Sequence, residues 1–230
     1  MLLYQFEISP FCDKVRRVLN LKGQAYDIEN VSVAKTLSGY VKKLNPAGKL
    51  PVLEMGGERI ADSSDIVEKL EERFPEPALY PSDPLLRAQV HILEDWADES
   101  LYFYEVRLRF TEPHNAECWV PAALAEDNAL MKQIGKYVMP GAMAKTVNAQ
   151  GLGRKSAETV TADLHRHLSA LEALLAGDWL VGDALSMADI AVYVQLYCIG
   201  VTREGEAALA DYPSVREWMA RVDQASATRA

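Results

Sequence analysis

Phe74-Pro75-Glu76-Pro77-Ala78-Leu79-Tyr80-Pro81-Ser82-Asp83-Pro84 holds four of the eleven prolines in a chain of 230 residues. Proline has no amide hydrogen and a fixed φ, so a run this dense supports neither a long helix nor a central strand. It reads as a linker, and what lies on its two sides differs in kind.

Before it, short apolar runs alternate with helical patterns. Leu2–Phe6 reads as a strand and Pro10–Leu21 as a helix with Val15, Val18 and Leu19 on one face. Ala25–Val31 reads as a second strand, and Leu37–Leu44 as a weaker helix. Pro51–Met55, Gly56-Gly57 and Glu58–Ile60 form a hairpin signal, and Ser63–Arg73 is a further helix. The order is βαβαββα. A βαβ start demands a parallel crossover, and the closing hairpin makes the sheet mixed.

After the linker the pattern is helical. Leu86, Val90, Leu93, Ala97, Leu101, Tyr104 and Leu108 recur at spacings of three and four, a single stripe on a helix of about seven turns. Val160, Leu164, Leu168, Leu171 and Leu175 form a second stripe. Pro113, Pro121 and Pro140 break the stretch between, and Gly141–Lys155, with Gly151-Leu152-Gly153 inside it, is expected to be irregular at least in part. The division expected is a mixed α/β domain over 1–75, a linker over 76–84 and an all-α domain over 85–230.

Apolar residues make up 49% and charged residues 25%, as in ordinary globular chains. No apolar stretch approaches the roughly 20 residues of a membrane span. Met1-Leu2-Leu3-Tyr4-Gln5-Phe6-Glu7 has no basic segment followed by an apolar run, so no secretory leader is expected. With 33 acidic residues against 24 basic, the net charge of −9 argues against general nucleic-acid binding, which rests on Lys and Arg meeting phosphates. Cys12, Cys118 and Cys198 are odd in number and far apart, which fits a reducing cytoplasm better than a disulfide framework. His165 and His167 are two apart, whereas two-histidine helical metal motifs use a spacing of four, so no metal is expected.

Four short motifs carry possible chemistry. Ser9-Pro10-Phe11-Cys12 joins the first strand to the first helix, with serine as N-cap and proline at the first helical position. Free N–H groups and the positive dipole end favour an anion there, and lower the pKa of a thiol in the first turn. Read alone, the motif is also simply a well-made helix start, and Cys12 a packing residue. In Asn45-Pro46-Ala47-Gly48-Lys49-Leu50-Pro51-Val52-Leu53, a proline opening a strand marks a sheet edge or a cis bond. A cis bond there could turn the Leu50 backbone outward, to pair with an extended peptide. Asp62-Ser63-Ser64 caps the helix that follows, and Asp62 could meet an ammonium group. Ser186-Met187-Ala188-Asp189 is a capping box with Asp in the place of Glu, assigned to helix initiation rather than catalysis.

Taken together, in this order and spacing, these elements resemble the glutathione transferase superfamily of serine and cysteine type. The carrying residues are Ser9-Pro10-Phe11-Cys12, Lys49-Leu50-Pro51-Val52-Leu53, Asp62-Ser63, and Leu180-Val181-Gly182-Asp183 followed by Ser186-Met187-Ala188-Asp189. The resemblance implies a thioredoxin-like first domain followed by a helical-bundle second domain. It implies a glutathione site on the first, with Ser9 or Cys12 as the catalytic group and Tyr4 as a weaker candidate. Phe11 would lie beside it. Leu50, before a cis Pro51, would pair with the cysteinyl unit. Asp62 and Ser63 would hold the γ-glutamyl end, and Lys49, or less directly Lys35, would face the glycyl carboxylate. The second domain would bind a small hydrophobic electrophile, with Trp96, Tyr102, Tyr104, Arg107 and Trp119 as lining candidates. A cytoplasmic homodimer is implied, with no metal, no nucleic acid and no membrane partner.

Redox-type members carry cysteine at the position of Ser9, so this chain favours thiolate activation over a dithiol cycle. The alternatives are a glutathione-dependent lyase or thiol-disulfide enzyme, and a non-catalytic module that binds a protein partner. Gln150-Gly151-Leu152-Gly153-Arg154-Lys155-Ser156 is similar to a Gly-x-Gly-Arg run in a less-studied branch, and reads as a turn before the next helix.

Overall fold

A computed structural model describes residues 1–227. It resolves into two compact units. Among the described residues, the first comprises residues 1–78, 120–136 and 226–227, and the second comprises residues 79–119 and 137–225. The stretch 120–136, which sequence reading assigns to the helical half, therefore packs with the α/β half.

The first unit is built on four strands, β1 (Leu2–Gln5), β2 (Asp27–Asn30), β3 (Val52–Met55) and β4 (Glu58–Ala61), in the order β2-β1-β3-β4. β1 and β2 are parallel, while β1/β3 and β3/β4 are antiparallel. The mixed sheet expected from βαβαββα is thus observed. Leu3 lies opposite Leu53, and Tyr4 opposite Val52. Successive side chains point to opposite faces, so these pairs build two cores. Tyr4 and Val52 pack with Val31 and Val41, flanked by Leu2, Tyr40, Leu44, Leu50 and Ala61. Helix α1 (Pro10–Leu21) packs on α4 (Ser63–Arg73), and α4 on β3 and β4.

One expected helix is two. Instead of a single run over Leu37–Leu44, the chain forms α2 (Val33–Leu37) and α3 (Tyr40–Leu44). Gly39 between them has φ +83, a left-handed conformation natural to glycine, and it reverses the chain where a continuing helix would need negative φ.

The second unit begins with Asp83 capping α5 (Pro84–Trp96): its carboxylate accepts from the N–H groups of Leu85 and Leu86 at 2.9 Å each. The long stripe expected over 86–108 is α5, a π-helical turn at Ala97–Leu101 and α6 (Tyr102–Phe110), run together. Then come α7 (Pro113–Ala123) and α8 (Ala129–Gln150), of which residues 120–123 and 129–136 belong to the first unit. α8 narrows the expected irregular stretch over Gly141–Lys155: the helix passes through Pro140 and ends only at Gln150. A proline removes one backbone bond, but Ala142, Met143, Ala144 and Lys145 after it are strong helix formers and Val147 is buried. The irregular part shrinks to Gly151, with φ +118, and a 3-10 turn at Leu152–Arg154. α9 (Ala157–Leu174) follows, carrying the second stripe, with Val160, Leu164, Leu168 and Leu171 buried.

α10 (Met187–Gly200) is the centre of this unit. All its residues but Tyr197 and Gly200 are buried, against α5, the π-helical turn, α6 and α11 (Arg203–Leu209). A helix apolar all round belongs inside a bundle. α12 (Pro213–Ser226) is the last helix among the described residues and sends the fully buried Trp218 into the core. No helix among the described residues is long and apolar enough to cross a membrane.

Candidate functional site

The sheet register brings three of the motifs to one end of the first unit. The C-terminal end of β1 runs through Phe6–Ile8 into Ser9. β3 starts beside it, because Tyr4 pairs with Val52, which places Leu50-Pro51 at that end. β4 finishes there, because Ala61 pairs with Val52, and the next residue is Asp62. β2 ends there too: Asn30 aligns with Gln5, and the N–H of Val31 donates to the Gln5 carbonyl at 2.8 Å. Two long helices, α1 and α4, start from this end.

Ser9 is the N-cap of α1, with extended backbone. Its Oγ accepts from the N–H of Cys12 at 3.4 Å, and Pro10 occupies the first helical position. Because Oγ accepts in this bond, the hydroxyl keeps its own proton to donate, and in this structure the Cys12 thiol lies within its reach. Cys12 itself faces inward and is fully buried, and burial pushes its thiol up to about 11, against a smaller opposing pull from Ser9. At neutral pH it is a protonated thiol in a core.

The Leu50–Pro51 bond is cis. The loop before it is pinned by Asn45, a buried side chain that donates to the Lys49 carbonyl at 3.1 Å and accepts from the N–H of Ala47 at 3.0 Å. Neither backbone polar group of Leu50 pairs with another backbone group among the described residues. Asp62 is the only non-glycine residue with positive φ among them, at +77. Such a conformation costs on the order of 1–3 kcal/mol and is held only where its surroundings dictate it. Here it lets the exposed Asp62 cap α4, its Oδ1 accepting from the N–H of Ser64 at 2.9 Å. Ser63 beside it is buried.

The two lysines proposed for a carboxylate differ. Lys35 is engaged by Glu29, 3.0 Å from its carboxylate, and lies over the Tyr40 ring. Lys49 is exposed and belongs to the loop that leads to Pro51.

Sequence reasoning missed the groups that hold this end together. Arg16 donates to the Gln5 side chain and the Glu7 carbonyl, and Lys14, fully buried, donates to Ser64 Oγ at 3.1 Å. Asp127, from the stretch 120–136, caps α2 by accepting from Val33 and Ala34 N–H at 3.0 and 2.8 Å. Asn45 could have been found from its Asn-Pro-x-Gly turn chemistry. The others depend on long-range packing.

In the second unit, the side chains expected to line an electrophile pocket have partners of their own. Tyr104 is buried and bonds to Asp163 at 3.4 Å, and Trp96 packs on His167 with ring centroids 5.5 Å apart. Trp119 lies under the Arg109 guanidinium, 4.1 Å from ring centroid to carbon, and Arg107 pairs with Glu112 at 3.3 Å. Tyr102 sits edge-on to Phe103, and burial pushes its phenol up to about 12. Gly153 of the Gly-Leu-Gly-Arg turn lies so close to Asn148 that an added Cβ would stand 2.8 Å from its backbone nitrogen. That accounts for the glycine by packing.

One end of a thioredoxin-like unit thus carries two capped helix starts, a cis-Pro loop and a capping aspartate with positive φ. The model "Glutathione S-transferase, N-terminal domain" matches residues 3–78, and "Glutathione S-transferase, C-terminal domain" matches residues 121–221. The chain belongs to the glutathione S-transferase superfamily. It is 28% identical over 222 residues to "Probable maleylacetoacetate isomerase 1" of Drosophila melanogaster, covering 93% of this chain and 74% of that one. It is 39% identical over 95 residues to "Maleylpyruvate isomerase" of a Ralstonia species, covering 40% of this chain and 45% of the relative, under half of that protein's length. Among solved structures, a glutathione S-transferase from Rhodospirillum rubrum F11 superposes with a TM-score of 0.66 at 28% identity, covering 96% of this chain and 87% of that one.

Proposed function

We propose that this protein binds glutathione at the Ser9 end of its first unit and activates the thiol for attack on an electrophilic carbon. The observation that supports this most is the convergence of Ser9, Leu50-Pro51 and Asp62-Ser63 at one sheet end, fixed by the register of β1, β3 and β4.

The chemistry follows from the residues. A free cysteine-type thiol has a pKa of about 8.5, so little is ionised at neutral pH. The Ser9 hydroxyl donates to the thiolate, and the N-terminus of α1 adds a fixed positive potential. Each unit of depression corresponds to about 1.4 kcal/mol of preference for the thiolate. The Leu50 backbone pairs with the cysteinyl unit. Asp62 meets the γ-glutamyl ammonium, while Ser63 and the start of α4 receive its carboxylate. Lys49 meets the glycyl carboxylate, since Lys35 is held by Glu29. Phe11 shields the thiol. Cys12, buried and protonated, takes no part. The electrophile is assigned to the helical unit, with Trp96, Tyr102, Arg107 and Trp119 as recognition residues and Tyr104 as their support. A cytoplasmic homodimer completes the reading.

A second reaction on the same thiolate is favoured by the isomerase that aligns over most of this chain. The thiolate adds to one carbon of a cis double bond conjugated to a carbonyl, and the π electrons move to the carbonyl oxygen. The former double bond rotates, and collapse of the enolate expels the thiolate. Glutathione is regenerated and the product is the trans isomer.

Calorimetric titration with glutathione, with the ultraviolet absorbance of the bound thiolate followed against pH, tests the common core. Saturable binding with a lowered thiol pKa, lost in Ser9→Ala while binding persists, is the expected result. A chlorodinitrobenzene and a maleyl diacid then separate transfer from isomerisation. Absence of binding at millimolar glutathione would overturn both and point to a non-catalytic, protein-binding member.

A further inference from the structure

Ser9 lies at the end of a short loop. Its N–H donates to the Phe6 carbonyl at 3.2 Å, its carbonyl accepts from the Asp13 N–H at 3.0 Å, and its Oγ accepts one bond at 3.4 Å. The loop before it is also fastened from outside. Arg16, two turns into α1, sends Nη1 to Gln5 Oε1 at 2.7 Å, and both Nη1 and Nη2 to the Glu7 carbonyl at 3.3 Å. Its Nη2 also donates to Asp13 Oδ1 at 3.2 Å. Gln5 is fully buried, and its Nε2 donates at 2.8 Å to Glu7 Oε2 and at 2.8 Å to Asn30 Oδ1. Strand end, loop and helix are thereby joined through one guanidinium.

We infer that Arg16 is a positioning residue for the Ser9 hydroxyl: its fork ties the Glu7 carbonyl, two residues before Ser9, to the sheet through Gln5 and to α1 through Asp13. This rests on the proposed role of Ser9. A guanidinium presents several donors in one rigid plane, which the three acceptors here need together. Lysine has the charge and three donors on one nitrogen but not the planar fork, so it cannot reproduce the two-nitrogen geometry that reaches Gln5, Glu7 and Asp13 together. A displacement of about 1 Å at a reacting group costs on the order of a hundredfold in rate.

The test is Arg16→Lys alone and in combination with Ser9→Ala, read by glutathione affinity, by the pH titration of the bound thiol and by turnover. Arg16→Lys is expected to keep the glutathione Kd within about threefold, because the contacts to the peptide are elsewhere, while turnover falls about tenfold or more. The bound thiol should titrate higher, as it does in Ser9→Ala. The double variant should lose little more than Ser9→Ala, because both changes remove the same hydroxyl contact. Asp13→Asn leaves the guanidinium in place but removes the charge that Arg16 shares with Arg17, and should show a weaker form of the same effects if Arg16→Lys folds poorly, with Arg17→Lys as the control for the Arg17 contact. A merely structural role would lower the melting temperature and leave the thiol titration unmoved. Wild-type protein with a lowered thiol pKa that Arg16→Lys does not alter, or losses that add in the double variant, would overturn the inference alone. Wild-type protein with no lowered thiol pKa would overturn the proposed role of Ser9, and this inference with it.

Discussion

The indole of Trp218 donates to Asp189 Oδ1 at 2.9 Å in the interior of the helical unit. The same carboxylate accepts from the N–H of Leu180 at 2.8 Å and from the N–H and hydroxyl of Ser186 at 2.9 and 2.8 Å. Four donors from three segments thus meet on one fully buried side chain at the start of α10. Burial pushes the Asp189 carboxyl up, and the four donors pull against it. Asp189→Ala would leave those donors without an acceptor. Each such group costs roughly 1–3 kcal/mol, so the loss should be about 3 kcal/mol or more. Urea unfolding checks this, and a loss below about 1 kcal/mol would show that Asp189 does not anchor the unit.

Cys12 is expected to be unreactive. With a pKa of about 11, its thiolate fraction at pH 8 is about one in a thousand, and the side chain is fully buried. Native protein should therefore show one fast thiol towards an alkylating reagent, the exposed Cys118, with Cys12 labelled only on unfolding. Cys12→Ala should cost about 1 kcal/mol of stability and leave glutathione turnover within about twofold. Loss of turnover with stability kept would return the chemistry to Cys12.

Asp127 ties a stretch far along the chain to the start of α2. Its two carboxylate oxygens each accept a backbone N–H, from Val33 and Ala34, and the side chain is buried. Ser32 adds a further cap, accepting from the N–H of Lys35 at 3.1 Å. Losing an N-cap carboxylate costs about 1 kcal/mol, and a five-residue helix has little else to hold it. Asp127→Ala should therefore speed amide exchange over residues 32–38 by about fivefold or more while the β1 amides stay protected. Equal acceleration throughout the first unit would mean that Asp127 supports global stability instead.

Several local elements were legible because their signals are local. Ser9-Pro10 announces a helix start by capping chemistry, and Gly56-Gly57 announces a hairpin by its need for positive φ. Asp83-Pro84, read as the end of the linker, carries the same capping signal and starts α5. Pro51 declared a choice between an edge and a cis bond, and the structure has the cis form. The rest is settled by contacts between distant residues. Nothing near Asp127 signals that residues 120–136 pack with the α/β unit. Arg16 and Gln5 read as an ordinary helix charge and a strand-end amide until the fold brings Glu7 and Asn30 to them. Pro140 is a helix breaker by propensity, and the residues after it outweigh it.

His167 makes the helical unit sensitive to acid. Its ring lies between Trp96 and Tyr104, with centroids at 5.5 and 5.3 Å. Burial lowers its pKa. Asp163 opposes this, and Arg166 and Lys155 reinforce it. In the unfolded chain an imidazole titrates near 6.5, so as pH falls the unfolded state takes up the proton first. The stabilising effect of the neutral ring is therefore fully present above pH 6.5, and is lost as pH falls from there through the folded value. Asp163, itself held below the usual carboxylate range mainly by its bond with Lys155, stays charged across that window and does not produce the change. His167→Phe keeps an aromatic ring between Trp96 and Tyr104 and removes the proton. Urea midpoints should fall between about pH 7.5 and about pH 5.5 in the wild type, and fall measurably less in His167→Phe. Identical pH slopes in the two proteins would place the acid sensitivity elsewhere in the chain.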